Sequence, residues 1–165
     1  MAKSRRQSNE NLETSLANLG QTALIHMVKN GAFSISAGAS GSVISFNSSV
    51  ANKKITVSGS AINFEETGIY QVFVSYRSTT DTWTKHSIRD TLGNVAGESA
   101  LGGSGLNYSP IRGFLCTISD ISLAYNINIY AELGDTIILP NPATPPNFGT
   151  TTRTMDVIIT KISEI

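Results

Sequence analysis

From residue 21 onward, runs of β-branched and aromatic residues five to eleven long are broken by small polar and turn-forming clusters. SAGASGS at 36–42, GGSGLNYSP at 102–110 and PNPATPPNFG at 140–149 are the clearest of these breaks. This punctuation constrains the fold more than any other feature. The runs have the length of strands, and the clusters carry turn chemistry. Strands are predicted at 22–28, 32–36, 42–46, 54–58, 61–65, 68–77, 84–89, 112–118, 121–131, 135–139 and 154–162. Many short strands with no long helical period predict an all-β, antiparallel sandwich or barrel. No internal repeat of fixed period is present. The proline-rich stretch 140–146 reads as a semi-rigid loop between the last two strands.

The run NFEETGIYQVFVSYR at 63–77 adds a second constraint. One face of the strand carries Ile69, Gln71, Phe73 and Ser75, and the other carries Tyr70, Val72, Val74 and Tyr76. A half-buried strand needs only one apolar face; this one has two that are partly apolar. ISLAYNINIYA at 121–131 has a core-like stripe of Ile121, Leu123, Tyr125, Ile127 and Ile129. Its other face, Ser122, Ala124, Asn126, Asn128 and Tyr130, is uncharged. In the last strand, Met155, Val157 and Ile159 oppose Ile158 and Ile162. The expectation is one sheet built from these three strands, its outer surface covered by a second subunit. The competing cover is the long loop 91–111 of the same chain. Tyr70, Val72, Val74, Tyr76, Tyr130 and Ile158 are therefore candidates for subunit interface or core.

Charged residues make up only 15% of the chain, with 12 Lys and Arg against 12 Asp and Glu. That balance gives no overall electrostatic reason to bind nucleic acid or anionic membrane. Cys116 is the only cysteine, so no intrachain disulfide can form, and its apolar surroundings predict a buried thiol. No segment approaches the roughly twenty apolar residues of a membrane span. The start, MAKSRRQSNENLE, is basic without an apolar h-region, so it is not a secretory signal. A protein made and left in a cytoplasm is expected.

Residues 1–20 differ from the rest. They are polar, cluster Lys3, Arg5 and Arg6, and place Leu12, Leu16 and Leu19 at i, i+4 and i+7, one face of a helix ended by Gly20. So short a helix is not stable alone. Either it leans on the body, sister subunits or another protein, or it is a solvated tail.

Catalytic motifs are missing. His26 and His86 stand in no metal-ligand spacing. GASGS at 38–42 and GESAL at 97–101 both miss the nucleophile elbow at their fifth position and read as turns. A buried mid-strand Cys116 would be a poor nucleophile. Glu65 and Glu66, adjacent on a strand, would point to opposite faces and read as a solvated edge. No phosphate loop or acidic calcium loop occurs, and no cofactor is implied. Two aromatics near loops, Trp83 in TTDTWTKH and Tyr108 in GGSGLNYSP, are candidate ligand contacts. Trp83 filling the core or a subunit seam is the equal alternative.

Three stretches together resemble the C1q/TNF-type jelly roll, as found in phage structural proteins and at the tips of bacterial collagen-like proteins. They are the glycine-announced aromatic strand NFEETGIYQVFVSYR, the pair ISLAYNINIYAELGDTIILPN with its Gly134-Asp135 turn, and the terminal strand RTMDVIITKISEI. The resemblance covers about residues 22–165. It implies a non-enzymatic homotrimer whose inner sheet is buried on both faces around a threefold axis. Two departures are the long 91–111 segment and the lack of a collagen-like stalk, in whose place the arm 1–20 stands. The implied function is a phage capsid decoration (cement) or head-fibre protein of the virion, assembled in the host cytoplasm. Arg5, Arg6, Leu12, Leu16 and Leu19 would anchor it to the major capsid protein or another virion protein. The alternative is a receptor-binding tail-fibre or spike tip that holds a host surface glycan or protein through its apical loops.

Overall fold

Strict alternation of large apolar and smaller residues builds this structure. The computed structural model describes residues 23–31, 33–35, 41–78, 82–100, 102–104, 111–132, 136–139 and 153–165. The arm residues Arg5, Arg6, Leu12, Leu16 and Leu19, together with Tyr108, Gly134-Asp135 and the stretch 140–146, lie outside them. Among the described residues there are fourteen strands and no helix, in two seven-stranded sheets.

The first sheet is centred on β7 (Gly68–Ser78) and β14 (Arg153–Ser163), which pair antiparallel along nearly their full lengths. β1 (Leu24–Asn30) lies on the far side of β14, and β4 (Ser48–Lys53) follows it. β11 (Ile111–Ile118) pairs with β7 from Gly68 to Ser75. β13 (Thr136–Leu139) joins the end of β7 and carries β2 (Phe33–Ile35).

The second sheet is centred on β8 (Thr82–Asp90) and β12 (Tyr125–Ala131). β3 (Ser42–Val43) and β6 (Ala61–Phe64) pair with β12, β5 (Ile55–Ser58) pairs with β6, and β9 (Val95–Glu98) and β10 (Gly102–Ser104) pair with β8. The chain crosses between the sheets from β7 to β8, from β10 to β11 and from β11 to β12. All pairs are antiparallel, and neighbours are mostly distant in sequence. This is a jelly-roll sandwich.

The core lies between the sheets. Tyr70, Val72, Val74, Tyr76, Ile25, Met27, Val157, Ile159 and Cys116 come from the first sheet. They meet Ile55, Ile62, Ile88, Tyr125, Ile127, Ile129 and Ala131 from the second. Each fully buried aliphatic side chain is worth about 1.5–3 kcal/mol relative to exposure. Phe64 bridges the layers edge-on, 4.9 Å from the Tyr70 ring and 5.4 Å from Tyr125.

Gly68 opens β7 at φ +152°, and a Cβ there would sit 2.6 Å from both Lys161 Cε and Ser163 O. The glycine thus allows a close approach of β7 to the end of β14. Glu66 is not a solvated edge. It lies in the turn before β7, paired to Lys54 and, at 3.1 Å, to Lys161, whose Nζ also meets Glu164 at 2.7 Å.

Three expectations fail. The segment 91–111 is not simply an extended loop, because β9 and β10 extend the second sheet from it. GESAL is accordingly a strand end rather than a free turn. A Cβ on Gly97 would fall 2.3 Å from Leu115 O and 2.6 Å from the Cys116 Cα. The glycine lets the backbones of β9 and β11 touch where the sandwich closes. The stripe from Ile121 does not form either. Ser122 donates from backbone N and Oγ to Asp120 Oδ1 at 2.9 and 2.6 Å. This Asx turn leaves Ile121 47% exposed and starts the strand at Tyr125. Finally, β12 belongs to the sheet opposite β7 and β14. Tyr130 and Ile158 therefore face opposite sides of the molecule, because jelly-roll crossovers send consecutive strands to different sheets.

Candidate functional site

The two faces of β7 separate cleanly. Tyr70, Val72, Val74 and Tyr76 point inward and are buried. Ile69, Gln71, Phe73 and Ser75 point outward, with Phe73 37% exposed. Polar Gln71 and Ser75 mark this as the outer side.

Neighbouring strands continue the outer face in register. Phe73 pairs with Ile158 and Ile158 with His26; Gln71 pairs with Thr160 and with Leu115. Leu115 is 54% exposed, and Ile158 and Ile162 are exposed as well. Among the described side chains at this surface, His26 and Asp156 are the ionisable pair. They are joined by a 2.7 Å contact between His26 Nε2 and Asp156 Oδ1. A sheet face with exposed Phe, Leu and Ile at its centre and a bonded His–Asp pair beside them has the composition of a protein interface core. Tyr130 belongs to the opposite outer surface, that of the second sheet, where it lies beside Lys85.

Between the sheets lies a polar network. His86 on β8 is fully buried. Its Nε2 is 3.2 Å from Tyr76 Oη, its Nδ1 is 3.4 Å from Ser99 Oγ, and Tyr76 Oη donates to Thr84 Oγ1 at 2.8 Å. Ser99 Oγ also accepts from the His86 backbone N–H at 3.0 Å. Burial, and then the nearby Arg112 charge, push the imidazole down to about 3. Burial likewise raises the Tyr76 hydroxyl to about 12. Ser99 beside His86 has the chemistry of a nucleophile and base, but both are closed from solvent and the histidine is held neutral. The network joins β7, β8 and the end of β9; it is a core strut.

Cys116 is buried, and its thiol is pushed up to about 12 by desolvation. Trp83 sits on β8, 52% exposed on the outer face of the second sheet. It fills neither the core nor a loop. Among the described residues no group of three His, Cys, Asp or Glu side chains is placed to hold a metal, and no helix is long and apolar enough to cross a membrane.

No family model matches the chain, and no curated protein matches it. Solved structures do. Murine APRIL at pH 8.5 is 11% identical and superposes with a TM-score of 0.54 over 86% of this chain and 99% of that one. Murine APRIL at pH 8.0 gives 13% identity and 0.52 over the same shares. Eiger TNF from S. frugiperda, at 12% identity, gives 0.49 over 88% of this chain and 95% of that one. At such identities the likeness is one of fold. The chain has the C1q/TNF-like jelly-roll sandwich implied by its strand pattern.

Proposed function

We propose that this protein is a non-enzymatic structural protein that assembles as a homotrimer through the outer face of the β11-β7-β14-β1 sheet. The observation that carries the reading is the exposed apolar centre of that face, Phe73, Ile158 and Leu115, with His26 and Asp156 bonded to each other beside it. A face of this composition, buried against copies of itself, removes apolar surface from water while the Asp156 carboxylate keeps its contact with His26. Threefold closure fits a jelly roll whose first sheet has both faces apolar.

The finer reading is a phage capsid decoration or head-fibre protein, resident in the virion after assembly in the host cytoplasm. Its support is the arm, with Arg5, Arg6, Leu12, Leu16 and Leu19 as the anchoring residues. A threefold assembly carries three copies of residues 1–20, and three weak anchors acting together bind far more tightly than one. The test adds the full-length protein, or a form lacking residues 1–20, to particles stripped of it. Retention of the full chain alone supports this role. Equal retention of both forms rejects the arm as anchor.

The exposure of Trp83 favours a second reading, a tail-fibre or spike tip that binds a host surface receptor. Copy number per particle separates the two. Hundreds of copies indicate decoration, and a few to tens indicate a tip.

A further inference from the structure

The outer face of the second sheet carries a groove of about 250 Å³ lined by Gly41, Lys85, Ser87, Arg89, Glu98, Asn128 and Tyr130. Four strands bring these residues together. Tyr130 and Asn128 on β12 stand opposite Lys85 and Ser87 on β8, and Glu98 on β9 stands opposite Ser87. Gly41 leads into β3 at φ +68°. A Cβ there would come within 2.9 Å of Ile129 O, so only a glycine lets this wall lie so close to β12.

The chemistry of the lining is mixed. Lys85 Nζ and Glu98 Oε2 form an ion pair at 2.7 Å. Arg89 makes two long contacts, Nε to Ser87 Oγ and Nη1 to Gly93 O, each 3.4 Å. Asn128 is buried except toward the groove and donates from Nδ2 to Asn126 O at 3.3 Å. With Lys85 and Glu98 cancelling, the lining carries one surplus positive charge, on a guanidinium held in place by weak bonds. Trp83 lies two residues beyond Lys85 on the same strand face, about 7 Å away along β8. Its carbonyl accepts from Glu132 N at 2.9 Å.

We propose that this groove is a binding site for an acidic saccharide, a sugar ring bearing a carboxylate. Arg89 takes the carboxylate through paired N–H donors, the geometry in which guanidinium exceeds ammonium. Asn128, Ser87, Glu98 and Lys85 form a set of donors and acceptors matched to vicinal hydroxyls, which are both at once. Tyr130 offers its ring to the apolar C–H face of the sugar, and Trp83 extends that surface to a second unit. Other ligand classes fit less well. A lipid or apolar peptide would meet no large aliphatic side chain here. A peptide cannot add as a strand, because β8 is already paired on both sides by β12 and by β9 with β10. A phosphate dianion would bring twice the charge of a sugar carboxylate to a lining with one surplus positive charge, and would leave the Tyr130 ring unused. The volume lies below the roughly 300–1,000 Å³ of drug-sized pockets and suits one ring. The site depends neither on the trimer nor on which particle carries the protein.

The test is calorimetric titration of the full chain with glucuronic acid and N-acetylneuraminic acid, with glucose and inorganic phosphate as comparisons. Fluorescence of Trp83, the sole tryptophan, reports location. Millimolar binding of at least one acidic sugar is expected, with glucose and phosphate at least about tenfold weaker. Arg89→Gln should weaken the acidic sugar at least about tenfold, and Arg89→Lys should recover only part of the loss. Thr117→Ser, on the other sheet, should change nothing. Glucose binding as well as the acids, phosphate binding as well as the acids, affinity unchanged in Arg89→Gln, or no binding at all would each overturn the proposal.

Discussion

Phe73 and Ile158 are register partners at the centre of the first sheet, and both turn away from the core to be 37% exposed. Their strand neighbours Val72, Val74, Val157 and Ile159 are fully buried on the other side. One sheet thus has two apolar faces, and among the described residues only one of them is covered.

Charge placed on that second face should dissociate subunits without unfolding them. Phe73→Asp with Ile158→Asp would bury two unpaired carboxylates in the interface but leave the sandwich core untouched. Gel filtration should show the single-subunit species with an unchanged far-UV spectrum. Loss of the fold itself would mean that the two residues act within the subunit.

Gly97→Ala should destabilise strongly, because its Cβ would meet backbone atoms of Leu115 and Cys116 rather than a yielding side-chain tip. A loss above about 3 kcal/mol is expected in chemical denaturation. A change under about 1 kcal/mol would show that β9 and β11 are not held together so closely.

His86 makes stability depend on pH. Its pKa is about 3 when folded, against 6.5 for the ordinary imidazole. Its contribution is therefore complete above pH 6.5 and is lost as pH falls from there toward 3. The slope approaches about 1.4 kcal/mol per pH unit. Glu66, held below its ordinary 4.5 by hydrogen bonds from Lys54 and then Lys161, adds its own loss only at more acid pH. Urea unfolding at pH 7, 6 and 5 should show the fall in the native protein and a flatter profile in His86→Gln. Parallel profiles would remove His86 as the cause.

The Cys116 thiol, buried and pushed up to about 12, should be inert in the native state. An aromatic disulfide reagent at pH 8 should modify it at the rate of unfolding. Stoichiometric reaction within seconds would place it at the surface.

Much of this fold is written locally. The alternation in GIYQVFVSYR and the buried cysteine follow from neighbouring residues. What is missing depends on distant ones. Val95–Glu98 and Gly102–Ser104 have little strand propensity and become strands only by pairing with β8. Gly97 reads as a turn residue until the backbone of β11 is known to lie against it. β12 looks like a companion of β7 because both have charge-poor second faces, yet the crossovers assign it to the other sheet. The groove is invisible in the sequence for the same reason. Arg89, Glu98 and Asn128 meet only through strand pairing, although the exposed Trp83 nearby was a usable signal.

Light scattering coupled to gel filtration measures directly the proposed assembly through the face centred on Phe73 and Ile158. The expected mass is about three times the 17.6 kDa of one chain, stable on dilution to low micromolar concentration. A mass of one chain at every concentration would contradict the account.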